Sequence, residues 1–315
     1  MNAAATPEWK RSRERSSPAM VALMAWIALR LGRGVARLVL GPVVLYFYLT
    51  AGPVRRSLRV FLRRAGAPRQ GALGVLRTLY AFATCALDRV YLLAGRHQEL
   101  EVTVHDPQQV LARVHGGGGA LMLTAHLGSY DVLRVVGAVR RGVRYRIVMD
   151  QRHGGIYMGL LTRLNPKLAD ELIDGSRSHP QLGLALHEAL HQGCLVGLMA
   201  DRTAGRDRGL PVEFLGARAR LPEAPWKLAA VLGAPVVLCF GLYRGGRRYT
   251  LHFERFLDGQ AVPRAQRDAF IRACVERYAR RLEHYARAAP DNWFNFYDFW
   301  SAARPGEQPD ERKPL

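Results

Sequence analysis

The stretch Ala120-Leu-Met-Leu-Thr-Ala-His-Leu-Gly-Ser-Tyr-Asp-Val-Leu-Arg134 decides the fold expected of this chain. Its first six residues form a short apolar run typical of a buried strand, and a turn at Gly128 predicts a helix immediately after it. His126 lies at the strand tip, and Asp131 follows five residues later. Because reacting groups gather at the carboxyl edge of an α/β sheet, we expect His126 to act as a general base that the Asp131 carboxylate orients.

The turn between the strand and the helix carries two further predictions. We expect the Ser129 hydroxyl to cap the helix, because a serine oxygen satisfies backbone N–H groups at a helix start. Asp131 then falls in the first helical turn, where negative charge is favoured.

Around this stretch the chain alternates between short strand patterns and longer helical patterns. The predicted strands cover residues 100–104, 120–125, 145–149, 195–200, 235–242 and 249–253, and the predicted helices cover residues 108–114, 130–140, 156–163, 181–191, 223–232 and 266–287. This alternation favours an α/β fold with a mixed, mainly parallel sheet covered by helices. We expect a basic apolar segment over residues 1–70, a catalytic α/β domain over residues 71–301 and a flexible tail over residues 302–315.

The 315-residue chain has a formal net charge of +20, built almost entirely from arginine. Residues 1–70 contain thirteen basic side chains, with Glu8 and Glu14 as their only acids. Such a concentration of charge favours a partner that carries phosphate or acidic side chains.

Apolar residues are woven through this basic segment, in the run Met20 to Leu29 and in the charge-free run Leu38 to Val54. The second run is at the short end of the range that crosses a bilayer, and basic clusters flank it on both sides. Because both clusters prefer the cytoplasmic side, the pattern favours an interfacial helix or shallow hairpin over a single pass. The alternative is a helical layer packed on the protein's own core. The late, arginine-interrupted apolar run is unlike a signal peptide.

The four cysteines, Cys85, Cys194, Cys239 and Cys274, are widely spaced in the sequence. None forms a Cys-x-x-Cys pair, so we expect reduced, buried thiols.

His187-Glu188-Ala189-Leu190-His191 matches the zinc-protease pattern His-Glu-x-x-His. On a helix it would place two imidazoles on one face, with Glu213 or Glu223 as candidates for a third ligand of a zinc-dependent hydrolase. The same segment is explained by an amphipathic helix whose leucines and alanines face a sheet and whose histidines face water.

Two other classes of protein fit the charge. One is a nucleic-acid-binding protein, but the basic residues alternate with apolar ones and no recognition motif is present, so we expect no nucleic-acid partner. The other is a non-catalytic protein that binds a membrane or another polyanion.

The order of motifs resembles one family, the bacterial lipid A biosynthesis (lauroyl/myristoyl) late acyltransferases within the glycerolipid acyltransferase superfamily. The motifs are His126 to Asp131, Met149-Asp-Gln-Arg-His153, Leu198-Met-Ala-Asp-Arg202, Pro211-Val-Glu-Phe-Leu-Gly216, Gly233-Ala-Pro-Val236 and Pro290-Asp-Asn-Trp-Phe294. The resemblance implies transfer of a fatty acyl group from a thioester, usually on acyl carrier protein and alternatively on coenzyme A, to a hydroxyl of a lipid acceptor. It further implies a location on the cytoplasmic face of the inner membrane.

The resemblance also implies roles for individual residues. His126 and Asp131 would be catalytic, and Arg152, Asp201 and Arg202 would bind or orient substrate. Because a thioester is already activated, direct attack by the acceptor hydroxyl suffices, so neither a cofactor nor a metal is expected.

The sequence departs from the family pattern at three places. Asp131 replaces a glutamate, Arg202 replaces a glutamine, and Trp293-Phe-Asn-Phe-Tyr-Asp-Phe-Trp300 replaces an aromatic and basic segment. We expect this aromatic cluster to pack in the core, and we expect the acceptor pocket to differ from that of a lipid A enzyme.

Overall fold

The strands run in an order that brings distant parts of the sequence together at one sheet edge. A computed structural model describes residues 17–107, 110, 118–133, 144–150, 155–166, 171–203, 207 and 209–301. The strands are β1 Glu101–His105, β2 Ala120–Thr124, β3 Tyr145–Met149, β4 Leu172–Asp174, β5 Leu195–Met199, β6 Leu210–Phe214, β7 Ala217–Leu221, β8 Val236–Tyr243 and β9 Arg248–Leu257. The helices are α1 Pro18–Thr50, α2 Gly52–Arg64, α3 Ala72–Leu93, α4 Gly155–Leu164, α5 His179–His191, α6 Ala224–Leu232 and α7 Arg267–Ala288.

The main sheet has the strand order β1-β9-β8-β2-β5-β3-β4. All neighbouring pairs in it are parallel except β8 and β9, which form an antiparallel hairpin. This arrangement confirms the predicted mixed, mainly parallel sheet. Strand β2 lies between β8 and β5, so the carboxyl ends of these three parallel strands share one edge.

Helices cover the central strands on both faces. All five residues of β2 and all eight of β8 are buried. Leu121 and Leu123 of β2 belong to one apolar cluster, whereas Ala120 and Met122 belong to a second. Because successive strand residues point to opposite faces, the continuous apolar run reflects a strand that is buried on both sides.

Most predicted elements agree with the structure to within a few residues at their ends. The predicted strand 145–149 coincides with β3, and the predicted helix 266–287 corresponds to α7. The sequence did not predict α3, β4 or the hairpin of β6 and β7. The hairpin turns at Leu215 and Gly216, which both have positive φ, and leucine is uncommon in that conformation.

The N-terminal helix α1 is interrupted at Gly32, whose backbone (φ 87°, ψ 166°) breaks the helical hydrogen bonding. One face, including Ala28, Ala36 and Leu40, packs on α3 in an apolar cluster. The opposite face exposes large apolar side chains, among them Leu38 at 77 %. The helix is long and apolar enough to cross a membrane by length and composition. The packing of one face on α3 agrees with the expected helical layer, and the interfacial arrangement stays a prediction.

Helix α2 joins the N-terminal segment to the main core. Leu58, Phe61 and Leu62 are fully buried in the same cluster as the central strands. The four cysteines are free and buried, as predicted. The predicted tail 302–315, and most of the predicted helices 108–114 and 130–140, lie outside the described residues.

Candidate active site

His126 and Asp201 come together because their strands are parallel neighbours. In the register of β2 and β5, Thr124 lies opposite Met199, and the Ala200 amide continues the ladder by donating to the Thr124 carbonyl at 2.8 Å. His126 lies two residues after Thr124, and Asp201 lies two residues after Met199. A separation of 75 residues in sequence therefore becomes direct contact at the carboxyl edge of the sheet.

The Asp201 carboxylate accepts three hydrogen bonds. The His126 backbone N–H donates to Oδ2 at 3.0 Å, and the imidazole Nδ1 lies 2.9 Å from Oδ1. The Trp293 indole Nε1 donates to Oδ2 at 3.3 Å. The Asp201 side chain is 1 % exposed and the imidazole of His126 is 28 % exposed. The carboxylate is thus held inside, while part of the ring reaches the surface.

Asp131, the predicted partner of His126, contacts an arginine of α3. Its buried carboxylate accepts a hydrogen bond from Arg89 Nε of α3 at 2.6 Å. The carboxylate at His126 Nδ1 is that of Asp201, so the pairing at Nδ1 differs from the prediction. The predicted helix cap also differs, because within the described residues the Ser129 hydroxyl is buried and makes no hydrogen bond.

The electrostatics of the pair favour a neutral imidazole beside a charged carboxylate. Burial lowers the pKa of His126 below 6.5, Arg202 lowers it further, and Asp201 opposes both effects. Burial alone would raise the pKa of Asp201, but its interactions with His126 and Arg202 hold that pKa at about 2. An ionised carboxylate only accepts hydrogen bonds, so the proton of the neutral ring lies on Nδ1 and the lone pair lies on Nε2.

Arg202 is fixed beside this pair through Phe294. Its Nη2 donates to the Phe294 carbonyl at 2.7 Å, and the Phe294 amide donates to the His126 carbonyl at 2.8 Å. The guanidinium also lies over the ring of Tyr297, 5.6 Å from its centroid. Its Nε is buried and has no hydrogen-bond partner among the described residues. Such a donor is available to an acceptor that the protein itself does not supply.

The segment after α7 closes the end of β2. Leu127 bridges to Trp293, and the Gly128 amide donates to the Asn292 carbonyl at 2.8 Å. Gly128 has φ +73°, and a Cβ atom there would lie 2.0 Å from the Gly241 carbonyl oxygen of β8. Glycine is therefore required at this turn, two residues after His126.

The aromatic cluster at residues 293–300 packs mainly in the core. Trp293 is fully buried, and Phe294, Phe299 and Trp300 are 5 to 6 % exposed. The ring of Trp293 contacts those of Phe61 and Phe214 at centroid distances of 4.8 and 5.3 Å. The prediction of core packing is confirmed for these four residues, and Trp293 additionally reaches Asp201.

The residues of the zinc-protease pattern lie on the exposed side of α5, with the rings of His187 and His191 5.0 Å apart. The suggested third ligand Glu223 pairs with Lys227 at 2.8 Å. Among the described residues no three His, Cys, Asp or Glu side chains are grouped as a metal site would need. The amphipathic-helix interpretation accounts for this segment.

Two residues that contact the site were not predicted from the sequence. Arg89 lies on α3, a helix that was not predicted, and the role of the Trp293 indole follows only from the fold. Arg152, which the sequence predicts as a substrate-binding residue, lies outside the described residues.

Comparison with known proteins gives one family. Residues 147–301 match the sequence profile described as bacterial lipid A biosynthesis acyltransferase. The match includes Asp201, Arg202 and Trp293, and it begins after His126. A search of curated proteins found no match to the chain. The match spans just under half of the chain, agrees with the resemblance for the motifs that it covers, and supports an acyltransferase.

Proposed function

We propose that this protein transfers a fatty acyl group from an acyl thioester, on acyl carrier protein, to a hydroxyl group of a lipid acceptor at the cytoplasmic face of the inner membrane. The contact between His126 Nδ1 and Asp201 at 2.9 Å carries the proposal. It leaves Nε2 as the basic atom of a partly exposed ring, and no hydrogen bond occupies Nε2 within the described residues.

The proposed reaction is a direct acyl transfer. Nε2 of His126 removes the proton of the acceptor hydroxyl as its oxygen attacks the thioester carbonyl. The tetrahedral oxyanion then collapses and expels the thiolate, which takes the proton back from the imidazolium. The products are an ester and a thiol, so neither a metal nor a cofactor takes part. Asp201 stabilises the imidazolium between the two proton transfers, as a carboxylate does in hydrolase triads.

Arginine side chains are proposed to bind the substrate and the oxyanion. The unoccupied Nε–H of Arg202 is suited to donate to the oxyanion or to an acceptor oxygen, since guanidinium groups bind oxyanions well. Arg152 remains a proposed substrate-binding residue. We assign Asp131 an indirect role, in which it holds Arg89 close enough to affect the His126 pKa.

Membrane association is supported by the outer face of α1. Its exposed large apolar side chains are Met20, Leu23, Trp26, Leu31, Val35, Leu38, Leu45, Tyr46 and Leu49. A contiguous apolar surface on a helix that also carries arginines is typical of interfacial binding. We propose that residues 1–70 anchor the enzyme and that residues 71–301 perform the chemistry.

The decisive experiment compares two histidine variants of the full chain in neutral detergent, with acyl carrier protein thioester and lipid acceptors. His126→Ala should lose acyl transfer while keeping its fold and its membrane association, because only the base is removed. His187→Ala is the matched control and should retain activity. Activity that survives His126→Ala would rule out the base and favour a non-catalytic role, whereas loss only in His187→Ala would favour the zinc hydrolase.

A further inference from the structure

A cavity of about 520 Å³ lies at the break in α1, away from Asp201. Its walls include Arg33, Gly34 and Arg37 of α1, Gly246 and Arg247 of the turn between β8 and β9, and Arg248 at the start of β9. Glu101 is the one acidic residue of the lining. Its volume lies within the range of about 300 to 1,000 Å³ usual for small-molecule sites.

Two of the four arginines are neutralised by carboxylates. Arg33 forms a two-pronged, buried ion pair with Asp88, at 2.7 and 2.8 Å. Arg247 lies 3.6 Å from Glu101 in a pair that is mostly exposed. The buried pair builds the rear of the cavity, because Arg33 Nη2 also donates to the Gly246 carbonyl at 2.6 Å.

The other two arginines contact only neutral acceptors in the part of the chain that the structure describes. Arg37 contacts the hydroxyls of Tyr80 and Tyr243 and the Gly246 carbonyl at 3.3 to 3.4 Å. Arg248 contacts the Arg244 carbonyl at 3.4 Å. Two positive charges that no described carboxylate balances therefore converge on one cavity, which favours an anion there.

The backbone adds to this preference. Gly32 interrupts α1, so a second helical segment starts beside the cavity, and Gly34 in its first turn lines the wall. The first N–H groups of a helical segment lack partners within the helix and carry partial positive charge. A Cβ atom on Gly34 would meet nothing within 4 Å, so the space in front of this backbone is open.

The surroundings indicate that the anion is part of a lipid. Val35 and Leu38, on the same helical segment as Arg37, are 42 % and 77 % exposed and belong to the apolar outer face of α1. If the phosphate of a lipid lay in the cavity, the acyl chains of that lipid would lie next to the apolar outer face of α1. Arginine binds phosphate with two parallel hydrogen bonds, and this geometry suits a lipid headgroup at an interface.

We infer that this cavity is a second binding site, which takes the phosphate of an anionic lipid headgroup through Arg37 and Arg248. The carboxyl end of β8 leads into this turn at the same sheet edge as His126. A lipid held there would fix the enzyme on the bilayer with the catalytic edge facing it. The site requires no acyl transfer, so its test is independent of the catalytic proposal.

Flotation of the full-length protein with phosphatidylcholine vesicles, with and without phosphatidylglycerol, tests the inference. Arg37→Gln and Arg248→Gln should each weaken binding to the anionic vesicles about fivefold, the equivalent of about 1 kcal/mol per arginine at a membrane surface. Arg272→Gln removes an exposed charge from α7 and should leave binding unchanged. Binding by His126→Ala should also equal that of the wild type, even if acyl transfer is lost.

Gly34 offers a sharper pair of variants. Gly34→Glu places a carboxylate in the open space and should abolish the preference for anionic vesicles, because it competes with the phosphate. Gly34→Gln has nearly the same volume without the charge and should keep most of that preference. Circular dichroism melts establish that both variants fold.

The same variants distinguish the source of the phosphate. Titration with inorganic phosphate should show weak binding that does not displace the vesicles. Tight phosphate binding that Arg37→Gln removes, without any change in vesicle binding, would keep the anion site and overturn its assignment to a lipid. Wild-type vesicle binding by both Arg37→Gln and Gly34→Glu, or an equal loss in Arg272→Gln, would overturn the site itself.

Discussion

Asp201 accepts two hydrogen bonds from a single residue, His126, one from its backbone N–H and one from its imidazole Nδ1. The carboxylate thus fixes both the position of the strand end and the orientation of the ring that follows it. An imidazole held in this way would need little reorganisation to take a proton, as the proposed mechanism requires.

Asp201→Asn should lower kcat by about three to four orders of magnitude, because an amide cannot accept from all three donors and no longer stabilises the imidazolium. Asp131→Asn is the comparison. It weakens the ion pair with Arg89 and should reduce thermal stability more than it reduces kcat. Steady-state kinetics with acyl carrier protein thioester measure both variants. A large kcat loss in Asp131→Asn beside near-normal Asp201→Asn would return the orienting role to Asp131.

Arg202→Gln should shift the acidic limb of the pH profile of kcat/KM to higher pH. In the proposed mechanism His126 acts as a base only when its imidazole is neutral, and Arg202 lowers the pKa of that imidazole. Removing the cation raises that pKa, so activity is lost earlier as the pH falls from neutrality. Arg202→Lys keeps the charge and should retain more of the wild-type limb. An unchanged limb in Arg202→Gln would show that Arg202 has no electrostatic effect on the base.

Trp293→Phe should lower both stability and kcat. It removes the indole donor to Asp201 and leaves a small cavity among Phe61, Phe214 and Phe299, for a loss of about 1 to 3 kcal/mol in the free energy of unfolding.

Trp300→Phe is the matched control for that variant. Its indole donates to the Phe214 carbonyl at 3.2 Å, and the side chain is also buried but makes no hydrogen bond to Asp201. Thermal melts should show similar destabilisation, while kcat should fall only in Trp293→Phe. Equal kcat in the two variants would show that Trp293 contributes through packing alone and not through its hydrogen bond to Asp201.

Gly128→Ala should destabilise the protein by more than about 2 kcal/mol and abolish activity, because the new Cβ would overlap the Gly241 carbonyl and φ is positive. Gly216→Ala is matched in φ, at +72°, but its Cβ meets nothing within 4 Å. It should cost only about 1 kcal/mol and leave kcat intact. Chemical unfolding in neutral detergent compares the two, and similar losses would mean that the contact with β8 is not what restricts residue 128.

The sequence by itself determined most of the strands and helices and singled out His126 as the candidate base. The apolar run before His126 is long enough for a strand buried on both faces, and the alternation of strand and helix patterns gave the sheet class. These features depend on local periodicity, which a single sequence carries. Hairpin β6–β7 was not predicted, because its turn residue Leu215 has a positive φ that leucine does not indicate.

Only the tertiary structure decided which carboxylate meets the imidazole. Asp131 is near His126 in the chain, and Asp201 lies 75 residues away, yet the parallel register of β2 and β5 brings the distant residue to Nδ1. The same holds for Arg37 and the turn at Gly246, which α1 and β8 bring to one cavity. Strand pairing depends on contacts between segments far apart in sequence, and no local pattern records which strands become neighbours.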